Sequence, residues 1–223
     1  MKISVTNLKG GVGKSTITQN LAVVLAERYK VCIVDTDTNQ SSVRWYSARD
    51  EAIEKLNVVS VIEPKALNKI VNNLHSDNDI ILIDGTPSIH EMTTRIILAS
   101  DILLIPIRPG AHDLRSMDEF LERHRQANEF RYSLGHEKDI PTYFILNEYD
   151  GDRLLHKDIH KILRQYGIPI FETTIKSRVA YGEASVEGIG VYEHSDFKAQ
   201  MEMISLTKEL LDKAEKHGLL VSS

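Results

Sequence analysis

The sequence predicts an α/β fold in one domain: a mostly parallel central sheet flanked by helices on both faces. Three observations carry that expectation. Short β-rich apolar runs alternate with helical stretches along nearly the whole chain, which calls for parallel strands joined by helical crossovers. Two of these runs, at 80–83 and 102–107, are apolar almost without a break, the pattern of strands buried on both faces. A glycine-rich turn joins the first strand directly to the first helix. The 223 residues fit one domain of generous size, and no internal repeat or linker divides them, so the domain is expected to span 1–223.

Ile3 and Val5 alternate as a first strand, and an apolar-periodic run over 17–29 makes a helix that begins near Lys14. Residues 31–34 form a second strand, which ends in Asp35, Thr36 and Asp37. A helix is expected over 41–56, with Val43, Tyr46, Ile53 and Leu56 apolar, then a β-branched strand over 58–62. Pro64 suits the first turn of a helix running to about residue 74. The strand over 79–84 ends in Asp84, and the one over 102–107 is stopped by Pro106 and Pro109. A polar helix over 113–131 carries both signs of charge, the mark of a solvated face. Strands at 143–146 and 171–175 bracket a helix over 152–166, which sets Lys157, Lys161 and Arg164 on one side. The last helix, about 195–217, places Phe197, Met201, Ile204, Leu211 and Ala214 on a stripe expected to dock on the core.

The chemistry starts at residues 9–16: Lys9, Gly10, Gly11, Val12, Gly13, Lys14, Ser15 and Thr16. Glycines without Cβ let the backbone curl with its N–H groups inward around phosphate oxygens, and the following helix adds unpaired N–H groups and its positive dipole end. Lys14 supplies a full charge to the phosphates, and the Ser15 hydroxyl suits Mg²⁺. The pattern resembles the phosphate loop of P-loop NTPases, and a bound nucleotide is expected there. Asp35 and Asp37 at the carboxyl end of one buried strand, and Asp84 at that of another, lie where open α/β sheets gather ligands. Asp is also common as a helix or turn cap, the competing reading for each.

One departure narrows the reading. The usual loop has glycine six residues before the lysine; this chain has Leu8 there and a second lysine, Lys9, at the loop's head. It resembles the deviant Walker motif of the ParA/MinD family, most of all the small ParA plasmid-partition ATPases, over about residues 1–193. The resemblance implies that Lys9 reaches the partner's nucleotide across a dimer interface. It implies that Asp35 serves the Mg²⁺ shell, that Asp37 orients the attacking water, and that Asp84 is the Walker B acid, so Ser15, Asp35 and Asp84 make the metal site. Thr38 and Asn39 replace the family's Pro and Gln, while Gly85, Thr86 and Pro87 are similar to its D-x-P-P. Family members often contact adenine after the strand that ends here before Asn147; asparagine there is also ordinary turn chemistry. Lys176 and Arg178 stand where the family carries basic residues.

By this resemblance the protein is an ATPase using ATP and Mg²⁺. ATP would close a homodimer that binds nonspecific DNA, and a small centromere-binding partner would stimulate hydrolysis. Lys176, Arg178, Lys157, Lys161 and Arg164 are the candidate DNA contacts. With the first strand opening the sequence, the N-terminal helix-turn-helix domain of larger ParA proteins is not expected. A positioning scaffold for protein cargo is the alternative. A MinD-like membrane switch would end in a basic amphipathic helix, whereas the charges here balance.

Composition sets limits. Apolar and charged fractions of 42% and 26% are ordinary for a globular protein, and the net charge of −5 means that any contact with DNA must come from a local patch. Cys32, the single cysteine, excludes an internal disulfide and a Cys-x-x-Cys cluster site. No signal peptide or membrane-spanning stretch is evident, so a cytoplasmic, nucleoid-associated protein that avoids the membrane is expected.

Overall fold

The computed structural model describes residues 1–53, 56–87, 91–110, 114–151 and 158–220. Six strands form one sheet: β1 (Lys2–Val5), β2 (Val31–Asp35), β3 (Leu56–Ser60), β4 (Ile80–Asp84), β5 (Ile102–Ile107) and β6 (Thr142–Leu146), in the order β3-β2-β4-β1-β5-β6. Every pair is parallel. The helices are α1 (Lys14–Leu25), α2 (Ser41–Ser47), α3 (Pro64–His75), α4 (Glu91–Ala99), α5 (Leu114–Ser133), α6 (Ile159–Arg164), α7 (Val179–Val186) and α8 (Phe197–Lys216). Alternate strand residues serve opposite faces. Ile80 and Leu82 join α1 and α8 in one cluster, while Ile81 and Ile83 join α3 and α4 in another. Leu103, Ile105, Phe144 and Leu146 pack on α5 and α6. Cys32 is fully buried within the α3–α4 layer, and burial pushes its thiol up to about 11, as for a core residue without reactivity.

Register and topology create the site. β1 lies between β4 and β5, so the chain crosses first to one side of β1 and later to the other, which opens a crevice at the carboxyl ends of the strands. Val5 and Asp35 both pair with Asp84, so the second and fourth strands deliver their acids side by side under the loop.

Several expected elements are redrawn. The helix over 41–56 stops at Ser47; a 3₁₀ turn, Glu51–Ile53, follows, and Leu56 opens β3, where it is buried. Its apolar residues belong to three elements, a periodicity that one helical window merges. Residues 171–175 form no strand: Ile170 makes a single bridge to Phe144, and Phe171 and Ile175 donate N–H groups to Phe144 and Leu146. β5 runs through Pro106, because β1 has by then turned into the loop and Asn7 Nδ2 takes the Pro106 carbonyl at 2.9 Å. On α8 the buried stripe is Ala199, Met203, Leu206, Leu210 and Ala214, while Phe197 and Met201 are exposed. Ala214 alone of the expected set is fully buried, because the stripe that meets the core is offset along the helix from the expected one. Among the described residues, no helix is long and apolar enough to cross a membrane.

Candidate nucleotide site

The loop between β1 and α1 is built by its own polar residues. Asn7 Oδ1 accepts the Lys9 N–H at 3.0 Å, and Lys14 Nζ donates to the Lys9 carbonyl at 2.8 Å. Gly10 and Gly11 are exposed, whereas Val12 is buried. Gly13 has φ +94°, and a Cβ there would lie 2.1 Å from Asn147 Nδ2. Only glycine fits that position. Asn147 in turn donates to the Val12 carbonyl at 2.9 Å and is buried. The residue after β6 is therefore part of the loop's wall.

Lys14 is 7% exposed. Burial lowers its pKa, and the Asp84 and Asp37 carboxylates oppose that shift. Asp37 Oδ1 accepts the Asn39 N–H at 2.8 Å, which gives its loop a local turn without the family's proline. Asp35 is wholly buried and accepts three N–H groups: Asp37 at 3.0 Å on Oδ1, and Ser42 and Val43 at 2.8 and 3.1 Å on Oδ2. Burial raises its pKa against these bonds. The capping reading that the sequence offered for Asp35 therefore holds: its carboxylate ties down the first turn of α2.

Asp84 is also wholly buried. Burial pushes its carboxyl up to about 7, against the Ser42 hydroxyl and with the Asp35 charge adding to the rise; Ser15 and Lys14 pull it back down. Ser42 Oγ donates to Asp84 Oδ2 at 2.7 Å. Oδ1 is buried and without a hydrogen-bond partner. A buried carboxylate oxygen left open beside Ser15 and the phosphate loop fits the hydrated shell of a magnesium ion. Thr36 Oγ1 donates to the Asp84 carbonyl at 2.7 Å and receives the Thr86 N–H at 3.2 Å, clamping β2 to the turn after β4. Gly85 is pressed on Thr6, whose Cβ and Oγ1 lie 2.4 Å from where a side chain would start; close packing under the loop is its evident reason.

An open cleft of about 410 Å³ runs from Gly11, Gly13 and Thr16 past Asn147 and Glu148 to Lys176, Arg178 and Tyr181. Glu148 lies in the left-handed region at φ 50° and pairs with Arg108 at 2.8 Å. The basic residues split. Lys161 and Arg164 are exposed on α6, and Lys157 lies outside the described residues. Lys176 Nζ sits 5.3 Å from the Tyr149 ring. Arg178, expected on an open basic patch, is instead held by Glu202 of α8, which takes its Nε at 3.0 Å and Nη2 at 2.5 Å and also accepts Tyr181 OH at 3.1 Å.

Sequence reasoning missed Ser42, Thr36, Thr6, Gln19 and Glu202. Their partners lie on distant strands or helices, so no local spacing marks them. Ser41 and Ser42 read simply as the start of a helix.

The comparisons agree with the geometry. A Halothiobacillus neapolitanus protein, maintenance of carboxysome distribution protein A, is 26% identical over 195 residues, 86% of each chain. The chromosome-partitioning ATPase Soj of Thermus thermophilus is 26% identical, with 87% of this chain and 88% of Soj covered. A Borrelia burgdorferi plasmid partition protein, solved with AMPPNP, superposes with a TM-score of 0.73 at 20% identity, covering 95% of this chain and 98% of that one. The family model of the CobQ/CobB/MinD/ParA nucleotide binding domain matches residues 3–191. With its phosphate loop, paired acids and six-stranded parallel sheet, the chain belongs to this ParA/MinD family of P-loop ATPases.

Proposed function

We propose that the chain, as a single domain, is a small ParA-type ATPase for segregating plasmid or other DNA. ATP closes two copies face to face, the dimer is retained on nonspecific DNA at the nucleoid, and a small centromere-binding partner stimulates hydrolysis and release. The observation that carries the reading is a buried Lys14 bonded to the carbonyl of a second lysine, Lys9, at the loop's head, above strands that set Asp35 beside Asp84. The N–H groups of residues 10–16 would cradle the phosphates, and Lys14 would supply its charge to them. Asn147 lines the cleft beside Gly11, Gly13 and Thr16, from where it would contact the adenine. Ser15 and Asp84 would hold Mg²⁺, with Asp35 adding charge from behind its N–H bonds. Bound magnesium neutralises charge on the β- and γ-phosphates. Asp37 orients the attacking water, and Lys9 reaches the partner's nucleotide.

DNA retention rests on Lys161, Arg164 and Lys176, with Lys157 beside them in sequence and Arg178 available once Glu202 releases it. A second reading has one specific support: the Halothiobacillus relative is named for carboxysome distribution, which favours the same nucleotide cycle working on protein cargo. ATP turnover and DNA retention, measured together with and without nonspecific duplex, test the proposal. Retention that needs ATP, ignores base sequence and falls steeply with salt is expected. Tight, sequence-selective binding without ATP overturns it, and no binding in any nucleotide state transfers support to the other reading.

A further inference from the structure

We propose that Ser42 is a positioning residue for the magnesium site, holding one oxygen of Asp84 so that the other faces the metal's water shell. This rests on the nucleotide-and-magnesium reading above. A serine in the first turn of a helix ordinarily bonds its own backbone. Ser42 does not: α2 has no side-chain cap from its N-cap residue, and its N–H groups at 42 and 43 are taken by Asp35. The Ser42 hydroxyl is thereby left for Asp84, to which it donates at 2.7 Å across 42 residues of sequence.

Gln19 of α1 fixes the direction of that bond. Its Nε2 lies 3.4 Å from the Ser41 carbonyl, which can only accept, so this end of the amide is the donor. The same Nε2 donates to Ser42 Oγ at 3.2 Å, which turns the hydroxyl proton toward Asp84 Oδ2. Gln19, Ser42, Asp35 and Asp84 are all buried, so no bulk water replaces a lost member. Within this chain Oδ2 is occupied and Oδ1 is not. Ser42 thus grips both acids, Asp35 by its backbone and Asp84 by its side chain, from the helix that follows the Asp37 loop. Groups that orient a metal-binding carboxylate set metal affinity without touching the metal.

The test titrates Mg²⁺ into full-length protein with a fluorescent ATP analogue, and separately measures binding of the analogue in EDTA. For Ser42→Ala the Mg²⁺ midpoint rises about tenfold while affinity in EDTA stays at the wild-type value. Gln19→Leu keeps the serine, removes its orienting donor and shifts the midpoint the same way by less, which answers the question if the alanine variant fails to fold. A residue that only packs would leave the midpoint in place, or lower binding equally with and without Mg²⁺; either result overturns the proposal. If the wild type binds nucleotide with Mg²⁺ and the variants match it, the positioning role alone is lost. A wild type that binds no nucleotide under either condition brings down the ATPase reading and this inference with it.

Discussion

Replacing Gly13 by alanine should uncouple the phosphate loop from the sheet. At φ +94° a side chain meets left-handed backbone strain, about 1–2 kcal/mol. The new Cβ would also lie 2.1 Å from Asn147 Nδ2, which forces that side chain off the Val12 carbonyl. Asn147 is 5% exposed, so breaking its bond leaves buried groups unpaired at about 1–3 kcal/mol. The two effects together predict a loss of about 2–5 kcal/mol in urea unfolding, with an unchanged slope. Nucleotide binding should fall as well, because the displaced Asn147 stands in the cleft. Asn147→Ala removes the obstacle, so the double variant should be less destabilised than the sum of the singles. A loss below about 1 kcal/mol, or strict additivity, refutes the reasoning.

Other consequences separate the roles of the site residues. Lys14→Ala should weaken ATP binding itself, since the lysine meets ground and transition states alike, whereas Asp37→Ala should keep affinity and lose turnover; equal losses of affinity contradict this division. Glu202→Gln should cost about 1–2 kcal/mol in thermal unfolding by loosening a partly buried charged pair. It should also strengthen DNA retention and steepen its salt dependence by freeing Arg178; unchanged DNA binding argues that Arg178 is purely structural. Burial lowers the His124 pKa, only partly offset by Asp139, so the fold keeps this ring neutral below its ordinary 6.5. The unfolded chain then binds the extra proton, and stability should fall as pH drops below about 6.5. His124→Gln should flatten that slope between pH 7 and 5.5; an identical slope assigns it to other groups.

The sequence made the site's framework legible where chemistry and chain order coincide. Residues 9–16 lie consecutively in a strand–turn–helix, and Asp84 ends an unbroken apolar run, so both were readable without knowing what lies beside them. The pairing of Asp35 with Asp84 was not, because it depends on β2 and β4 becoming neighbours. Ser42 and Glu202 were invisible for the same reason: each acts on a group far away in sequence. The stripe on α8 failed for another cause. The buried stripe runs through Ala199, Met203, Leu206, Leu210 and Ala214, so Phe197 and Met201 fall beside it; which face of the helix meets the core depends on how it docks, and hydropathy does not carry that. Leu56 illustrates the limit of periodicity, since one residue fits both the end of a helix and the start of a strand.

The proposed function requires a nucleotide-switched dimer that depends on Lys9. Sedimentation velocity of the wild type and Lys9→Ala, each with Mg²⁺ and with or without a slowly hydrolysed ATP analogue, tests it most directly. A lysine charge brought between subunits is favourable only when a phosphate faces it. The wild type should therefore be a monomer alone and a dimer with the analogue, while Lys9→Ala binds the analogue and stays a monomer. A wild-type dimer without nucleotide, or an unchanged dimer in Lys9→Ala, contradicts the account.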